Sequence, residues 1–177
     1  MAIAPMRTDG APERGAPGSV LLIDDEPLLL RTLLSDLGLQ SYLKTTGGKG
    51  LHIVVPLKPE NSWKAVRAFA KSVASQLAAT LPGQFTASPA KAQRKGRIFI
   101  DWLRNQQGST AVAAYSLRAR KGGTVSVPLA WGELTPKLKP ERFNLRTVPA
   151  RLKALEDDPW DGYAEEQRLA RALQRMS

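Results

Sequence analysis

Apolar residues change their spacing several times along this chain, and each change predicts an element. Val20-Leu21-Leu22-Ile23 is a short unbroken apolar run of the kind that forms a buried strand, and it leads into the acidic turn Asp24-Asp25-Glu26-Pro27. Leu29, Leu30, Leu33, Leu34 and Leu37 then recur at three- and four-residue spacing, which predicts a helix. Gly38 can end that helix in the left-handed conformation. Residues 41–44 and 51–57 read as two strands, and Thr45-Thr46-Gly47-Gly48-Lys49-Gly50 between them predicts a hairpin. Beyond Pro59, Asn61 or Ser62 can cap a long helix on which Val66, Phe69, Val73 and Leu77 keep helical spacing, with Pro82 past its end. Further strands are predicted at residues 96–103, 110–116 and 124–128, and an amphipathic helix at 163–176 is expected to pack weakly or not at all. No internal repeat is visible, and the mixture of antiparallel strands and helices predicts an α+β fold.

Composition narrows the picture. The 177 residues suit one domain, or one domain with a tail. The chain has no cysteine, which removes zinc ribbons, thiol nucleophiles and disulfide frameworks and points to a reducing compartment. Residues 1–18 are rich in Ala, Pro, Gly and Arg and offer no periodic apolar face, so they are read as a disordered leader. No apolar run approaches the roughly 20 residues of a membrane helix, and the expected location is the cytoplasm. A formal net charge of +10 changes the picture most. It would be a merely solvated surface were it not clustered: Lys91, Arg94, Lys95, Arg97 and Arg104 surround one apolar strand, and Arg118, Arg120 and Lys121 follow a second. Cations at strand ends line a groove for a polyanion.

Two segments carry candidate chemistry. In Lys44-Thr45-Thr46-Gly47-Gly48-Lys49-Gly50-Leu51-His52, three glycines free backbone N–H groups to converge among hydroxyls and a lysine, a composition suited to phosphate. The glycine spacing is not that of a Walker A loop, and no helix follows. The plainer reading is a simple hairpin with His52, the sole histidine, as a structural residue. In Arg97-Ile98-Phe99-Ile100-Asp101-Trp102-Leu103-Arg104, a carboxylate interrupts an apolar strand, where an unpaired charge would be costly. Asp101 is either in a salt bridge with Arg104 or a ligand for a hard divalent cation that prefers oxygen donors.

These segments resemble the polymerase domain of bacterial DNA ligase D, which is similar to archaeal and eukaryotic primases. Thr-Thr-Gly-Gly-Lys-Gly-Leu-His-Ile-Val-Val-Pro-Leu, from Thr45, resembles its hydroxyl-to-histidine motif, and Arg-Ile-Phe-Ile-Asp-Trp-Leu-Arg-Asn, from Arg97, its later carboxylate motif. Ser-Thr-Ala-Val-Ala-Ala-Tyr-Ser-Leu-Arg-Ala-Arg from Ser109, Leu-Arg-Thr-Val-Pro-Ala-Arg from Leu145 and Asp-Pro-Trp-Asp-Gly-Tyr from Asp158 continue the match in order. The resemblance implies a primase-polymerase-like core in which Thr46 and His52 contact a nucleoside triphosphate. Lys49 and the turn amides add positive potential, and Arg104 and Arg118 hold phosphates of nucleotide or template. Asp101 would be the third of three metal-binding carboxylates, around two Mg or Mn ions that activate a primer hydroxyl and neutralise the leaving pyrophosphate. It also implies DNA ends as substrate, in concert with a Ku-like end binder and an ATP-dependent DNA ligase.

One part departs from the family pattern. The family carries its first two metal carboxylates as Asp-X-Asp-Pro on a strand, whereas Asp24 and Asp25 are adjacent here and would point to opposite faces of a strand. Asp24 and Glu26 alternate and form a substitute pair. The run from Val20 to Leu34 also resembles the opening of a two-component receiver, but no phospho-acceptor strand follows. The expectation is a leader at 1–18, a polymerase domain truncated on its N-terminal side at 19–163 with impaired catalysis, and a helical tail at 164–177. The alternative is a non-catalytic module that binds nucleotide and DNA ends.

Overall fold

A computed structural model describes residues 19–24 as backbone, and residues 27–48 and 50–176 in full. The expected leader, Asp25, Glu26 and Lys49 lie outside the described residues. Four strands form one antiparallel sheet in the order β1-β3-β2-β6, where β1 is Ser19–Asp24, β2 is Tyr42–Thr45, β3 is Leu51–Pro56 and β6 is Pro128–Leu129. The predicted hairpin is β2–β3, closed in register by Thr45 opposite Leu51. A short parallel pair, β4 (Phe85–Thr86) and β5 (Ile98–Phe99), lies beside it, with β1 in contact with β5.

The leucine run forms α1 (Pro27–Asp36), with Leu30 and Leu34 fully buried. Gly38 ends it as predicted, with φ +78°, and the Leu39 N–H closes back onto Leu34 O at 2.8 Å. The long helix is α2 (Trp63–Thr80), capped by Ser62, whose hydroxyl accepts from the Ala65 N–H at 3.2 Å. Its Val66, Phe69, Ala70, Val73, Ala74 and Leu77 are buried, as helical spacing requires. Phe69 and Leu77 alone contribute about 1.5–3 kcal/mol each by leaving water. Strand alternation decides what these helices cover. Leu43, Leu51, Ile53 and Val55 join α1 and α2 in the core, while Tyr42, Lys44, His52 and Val54 occupy the opposite face, also buried. This mixed α+β architecture is the predicted class.

Four predicted elements are shorter or different. At 96–103 the strand is only Ile98–Phe99, with Asp101 a single bridge residue, and past it the Asp101 carboxylate accepts from the Leu103 N–H at 3.0 Å in a turn. Residues 110–116 form no strand. Tyr115 adopts φ +62°, which breaks extension, although its N–H donates to Ser126 O at 2.6 Å. At 124–128 two isolated bridges, Leu117 with Val125 and Thr124 with Asn144, precede β6. The closing helix is only Ala170–Met176, since Gln167 is held as a strand-like bridge to Leu57, its N–H on Pro56 O at 3.1 Å. It does not pack weakly: Leu169 and Ala172 are fully buried in the core. A helix absent from the expectations, α3, spans Val148–Ala154 with Pro149 in its first turn.

Candidate nucleotide site

The sheet face turned away from the helices carries the unusual chemistry. Lys44 and His52 are directly opposite one another on β2 and β3, so their side chains share that face. Both are almost entirely buried. The Lys44 Nζ donates to Val112 O, and the His52 Nδ1 is buried without a hydrogen-bond partner among the described residues. Burial, reinforced by Lys44, Arg104 and Arg118, lowers the His52 pKa from 6.5 to about 3. Burial and Arg118 lower that of Lys44 to about 8. Among the described residues, the charges that shift these two groups are all positive. Three cations converge on one neutral imidazole, of which only Arg104 has a carboxylate near it among the described residues, that of Asp101 at 3.9 Å.

The glycine turn decides where the arginines lie. Gly47 sits at φ +64°, and a Cβ there would meet the Arg118 Cγ at 2.5 Å. A Cβ on Gly48 would lie 3.3 Å from the Arg120 guanidinium. Two arginines thus cross the two glycines, an approach that larger residues would block. Thr45 fastens the opposing segment beneath them: its hydroxyl accepts from the Val127 N–H at 2.9 Å, and its carbonyl accepts from the Ser126 hydroxyl at 2.6 Å. The Thr46 hydroxyl is spent within the turn, accepting from the Gly48 N–H at 3.1 Å and donating to Gly50 O at 2.9 Å.

Asp101 stands at the end of β5 with its side chain 22% exposed. One oxygen accepts from the Leu103 N–H, and the other lies 3.9 Å from the Arg104 Nε, a long contact worth at most about 1 kcal/mol at this exposure. The carboxylate therefore keeps lone pairs for a hard cation. It is a single donor, and among the described residues no group of three His, Asp or Glu could hold a metal. Asp24 ends β1 opposite Leu51, one step past the pairing of Ile23 with His52, and its side chain, like Glu26 and Lys49, is outside the described residues.

Thr46, His52, Arg104 and Arg118 thus surround one turn and one sheet face, with Asp101 three residues before Arg104. Sequence reasoning missed Lys44 and did not commit to Arg120. The signal for Lys44 was present, because a hairpin closed by Thr45 and Leu51 puts residue 44 opposite residue 52.

The family described as LigD, primase-polymerase domain, matches residues 23–160. A multifunctional non-homologous end joining protein LigD of Pseudomonas aeruginosa is 46% identical over 147 residues, which are 82% of this chain and 18% of that protein. The protein of the same description from Mycolicibacterium smegmatis is 40% identical over 116 residues, 65% of this chain and 15% of its own length. The chain spans less than a fifth of either relative. Among solved structures, a polymerase domain from Mycobacterium tuberculosis ligase D in complex with DNA superposes with a TM-score of 0.77 at 30% identity, covering 86% of this chain and 57% of that one. The chain belongs to the LigD primase-polymerase domain family.

Proposed function

We propose that this chain binds a nucleoside triphosphate at the glycine turn and handles DNA ends as a nucleotidyltransferase of the LigD polymerase type, in double-strand-break repair. The observation that carries the reading is the cluster of Lys44, Arg104 and Arg118 around buried His52, each of which, among the described residues, acts on that imidazole as a positive charge. A triphosphate placed there would relieve that repulsion and give His52 the partner its Nδ1 lacks. Thr46, Lys49 and the turn amides would contact the same phosphates, Thr46 after exchanging its bond to Gly50. Arg104 and Arg118 would hold phosphates of nucleotide or template.

Asp101 would be one ligand for Mg or Mn, with Asp24 and Glu26 as the remaining carboxylates. Such ions, two in an intact site, would polarise the transferring phosphoryl group. The relative from Mycobacterium tuberculosis is described in complex with DNA, and the +10 charge of this chain suits the same partner. A Ku-like end binder, an ATP-dependent ligase and a cytoplasmic setting complete the proposal; among the described residues no helix is long and apolar enough to cross a membrane. We divide the chain as first expected, with a leader to residue 18, the domain at 19–163 and a helical tail at 164–177, although that tail packs Leu169 and Ala172 into the domain's core. The second reading, a non-catalytic nucleotide- and end-binding module, is favoured by the sequence departure at Asp24-Asp25-Glu26 from the family's Asp-X-Asp-Pro pattern.

Titration with a nucleoside triphosphate tests the reading. His52→Ala should weaken binding by about 1–3 kcal/mol, the usual loss for a hydrogen bond to a charged group. Equal binding by parent and variant would return His52 to a structural role. Primer extension with manganese on gapped DNA bearing a 5′-phosphate then separates enzyme from module: extension abolished by Asp101→Ala supports the enzyme, and binding without extension supports the module.

A further inference from the structure

Trp102 follows Asp101 and is buried against α2, on the helix side of the sheet. Its Nε1–H donates to Ala87 O at 2.9 Å, which fixes the ring. Arg67 and Lys71 of α2 hold their cations over that ring, each 5.4 Å from its centroid. Together with Trp63, Lys64 and Gln106 these residues line an open pocket of about 440 Å³. Lys64, Arg67 and Lys71 follow three- and four-residue spacing, so they make one row about 10 Å long at 1.5 Å per residue.

None of the lining residues is acidic, and among the described residues none of the three cations is in an ion pair. Capping of the Trp102 ring accounts for Arg67 and Lys71. It leaves Lys64 and the pocket itself unaccounted for, and Trp63, which packs one side against the core, still lines the pocket with the rest of its ring. A row of like charges beside indole faces matches a polymer with regularly repeated negative charge and flat apolar units, the pairing by which single-stranded nucleic acid is bound. An acidic peptide supplies the charges but not the flat faces. Further cations flank Trp102 along the chain. Lys91 and Arg94 lie on the turn just after Ala87, the anchor of Trp102, and Arg104 lies two residues beyond Trp102.

We propose that this pocket docks a single-stranded segment of DNA leaving the Asp101 end of the site, its phosphates on Lys64, Arg67 and Lys71 and a base against Trp63. The inference rests on the DNA-end reading above. Fluorescence anisotropy with a blunt duplex, and with the same duplex carrying a single-stranded overhang of about ten nucleotides, within the usual site size, tests it. The parent should prefer the overhang. Trp63→Ala should weaken the overhang duplex about tenfold, as expected for one lost base stack, and leave the blunt duplex unchanged. Lys64→Ala combined with Lys71→Ala, both exposed and harmless to the core, should lower the slope of log Kd against log salt by about 1.4, at about 0.7 per phosphate on a single strand.

Overhang binding that is the same in the double variant and the parent overturns the proposal, as does quenching of tryptophan fluorescence by a glutamate-rich peptide but not by the oligonucleotide. If the parent binds both duplexes equally and the variants change neither, the pocket assignment falls while the DNA-end reading stands. If the parent binds no DNA, both fall.

Discussion

Replacing Lys44 with methionine should make the protein more stable and a poorer binder of triphosphate. At pH 7 the Lys44 ammonium is charged although buried, and its pKa has fallen from 10.5 to about 8. At about 1.4 kcal/mol for each tenfold change, holding that charge in place costs the fold about 3 kcal/mol. The sign follows from proton counting. Between pH 8 and 10.5 the unfolded chain binds more protons than the folded one, so this group's contribution to stability rises with pH there, and at pH 7 the whole penalty is in force. Methionine keeps the stem's packing, removes the charge and loses one hydrogen bond to Val112 O, worth about 1 kcal/mol. The expected net gain is about 2 kcal/mol, which for a chain of this size is roughly 4–8 °C in Tm. Thermal and urea unfolding at pH 7 measure it. The same variant should bind inorganic triphosphate at least tenfold more weakly, because a desolvated cation beside His52 is gone. A variant that is less stable than the parent and binds triphosphate equally well would refute the reasoning.

Three further outcomes follow from the same geometry. Gly47→Ala should destabilise by about 1–2 kcal/mol for the left-handed backbone alone, and should also weaken triphosphate binding, since its Cβ would displace Arg118 from a 2.5 Å contact; chemical denaturation and calorimetry read the two effects separately. Acid should act through His52, whose folded pKa is depressed: its contribution is intact above pH 6.5 and is lost progressively as pH falls toward 3, so His52→Gln should flatten the stability–pH curve in that window. Arg151→Lys should cost about 1–2 kcal/mol in unfolding experiments, because lysine cannot reproduce the forked contact with both Glu133 oxygens or the bond to Pro128 O that ties α3 to β6.

The β2–β3 hairpin, α1 with its Gly38 stop and α2 with its Ser62 cap were legible because each is specified locally, by periodicity and by one terminal residue. What failed was specified by distant partners. Residues 110–116 alternate like a strand, but Tyr115 is held at φ +62° by contacts with a segment ten residues away. Residues 163–169 have helical spacing, yet Gln167 gains more from pairing with Pro56 and Leu57, and Tyr163 from stacking on Trp160 at 4.5 Å. The site divides in the same way. His52 and Asp101 stand out as a lone histidine and a lone carboxylate in apolar runs, whereas Lys44 looks like an ordinary strand-end lysine until the hairpin register places it opposite His52.

That register also orders the steps a phosphate ligand would take. Odd-numbered residues of β2 and β3 face the helices and supply the core, so the fold stands without any contribution from residues 44 and 52. The opposite face is then free to hold groups that destabilise the empty protein, and Lys44 and His52 do so by desolvation, reinforced by the charges of neighbouring arginines. Under the proposed function, an arriving triphosphate would meet in Lys44 a cation that is already desolvated, so that group would need little reorganisation on binding. On that reading, capture of phosphate would rest on these cations together with His52 and the glycine turn. Phosphoryl transfer would depend in addition on carboxylates that bridge two ions, and of those proposed for that role Asp101 has its side chain among the described residues. Changes at Asp101 should therefore register in turnover while leaving metal-free triphosphate binding intact, and changes at Lys44 or His52 should register first in binding.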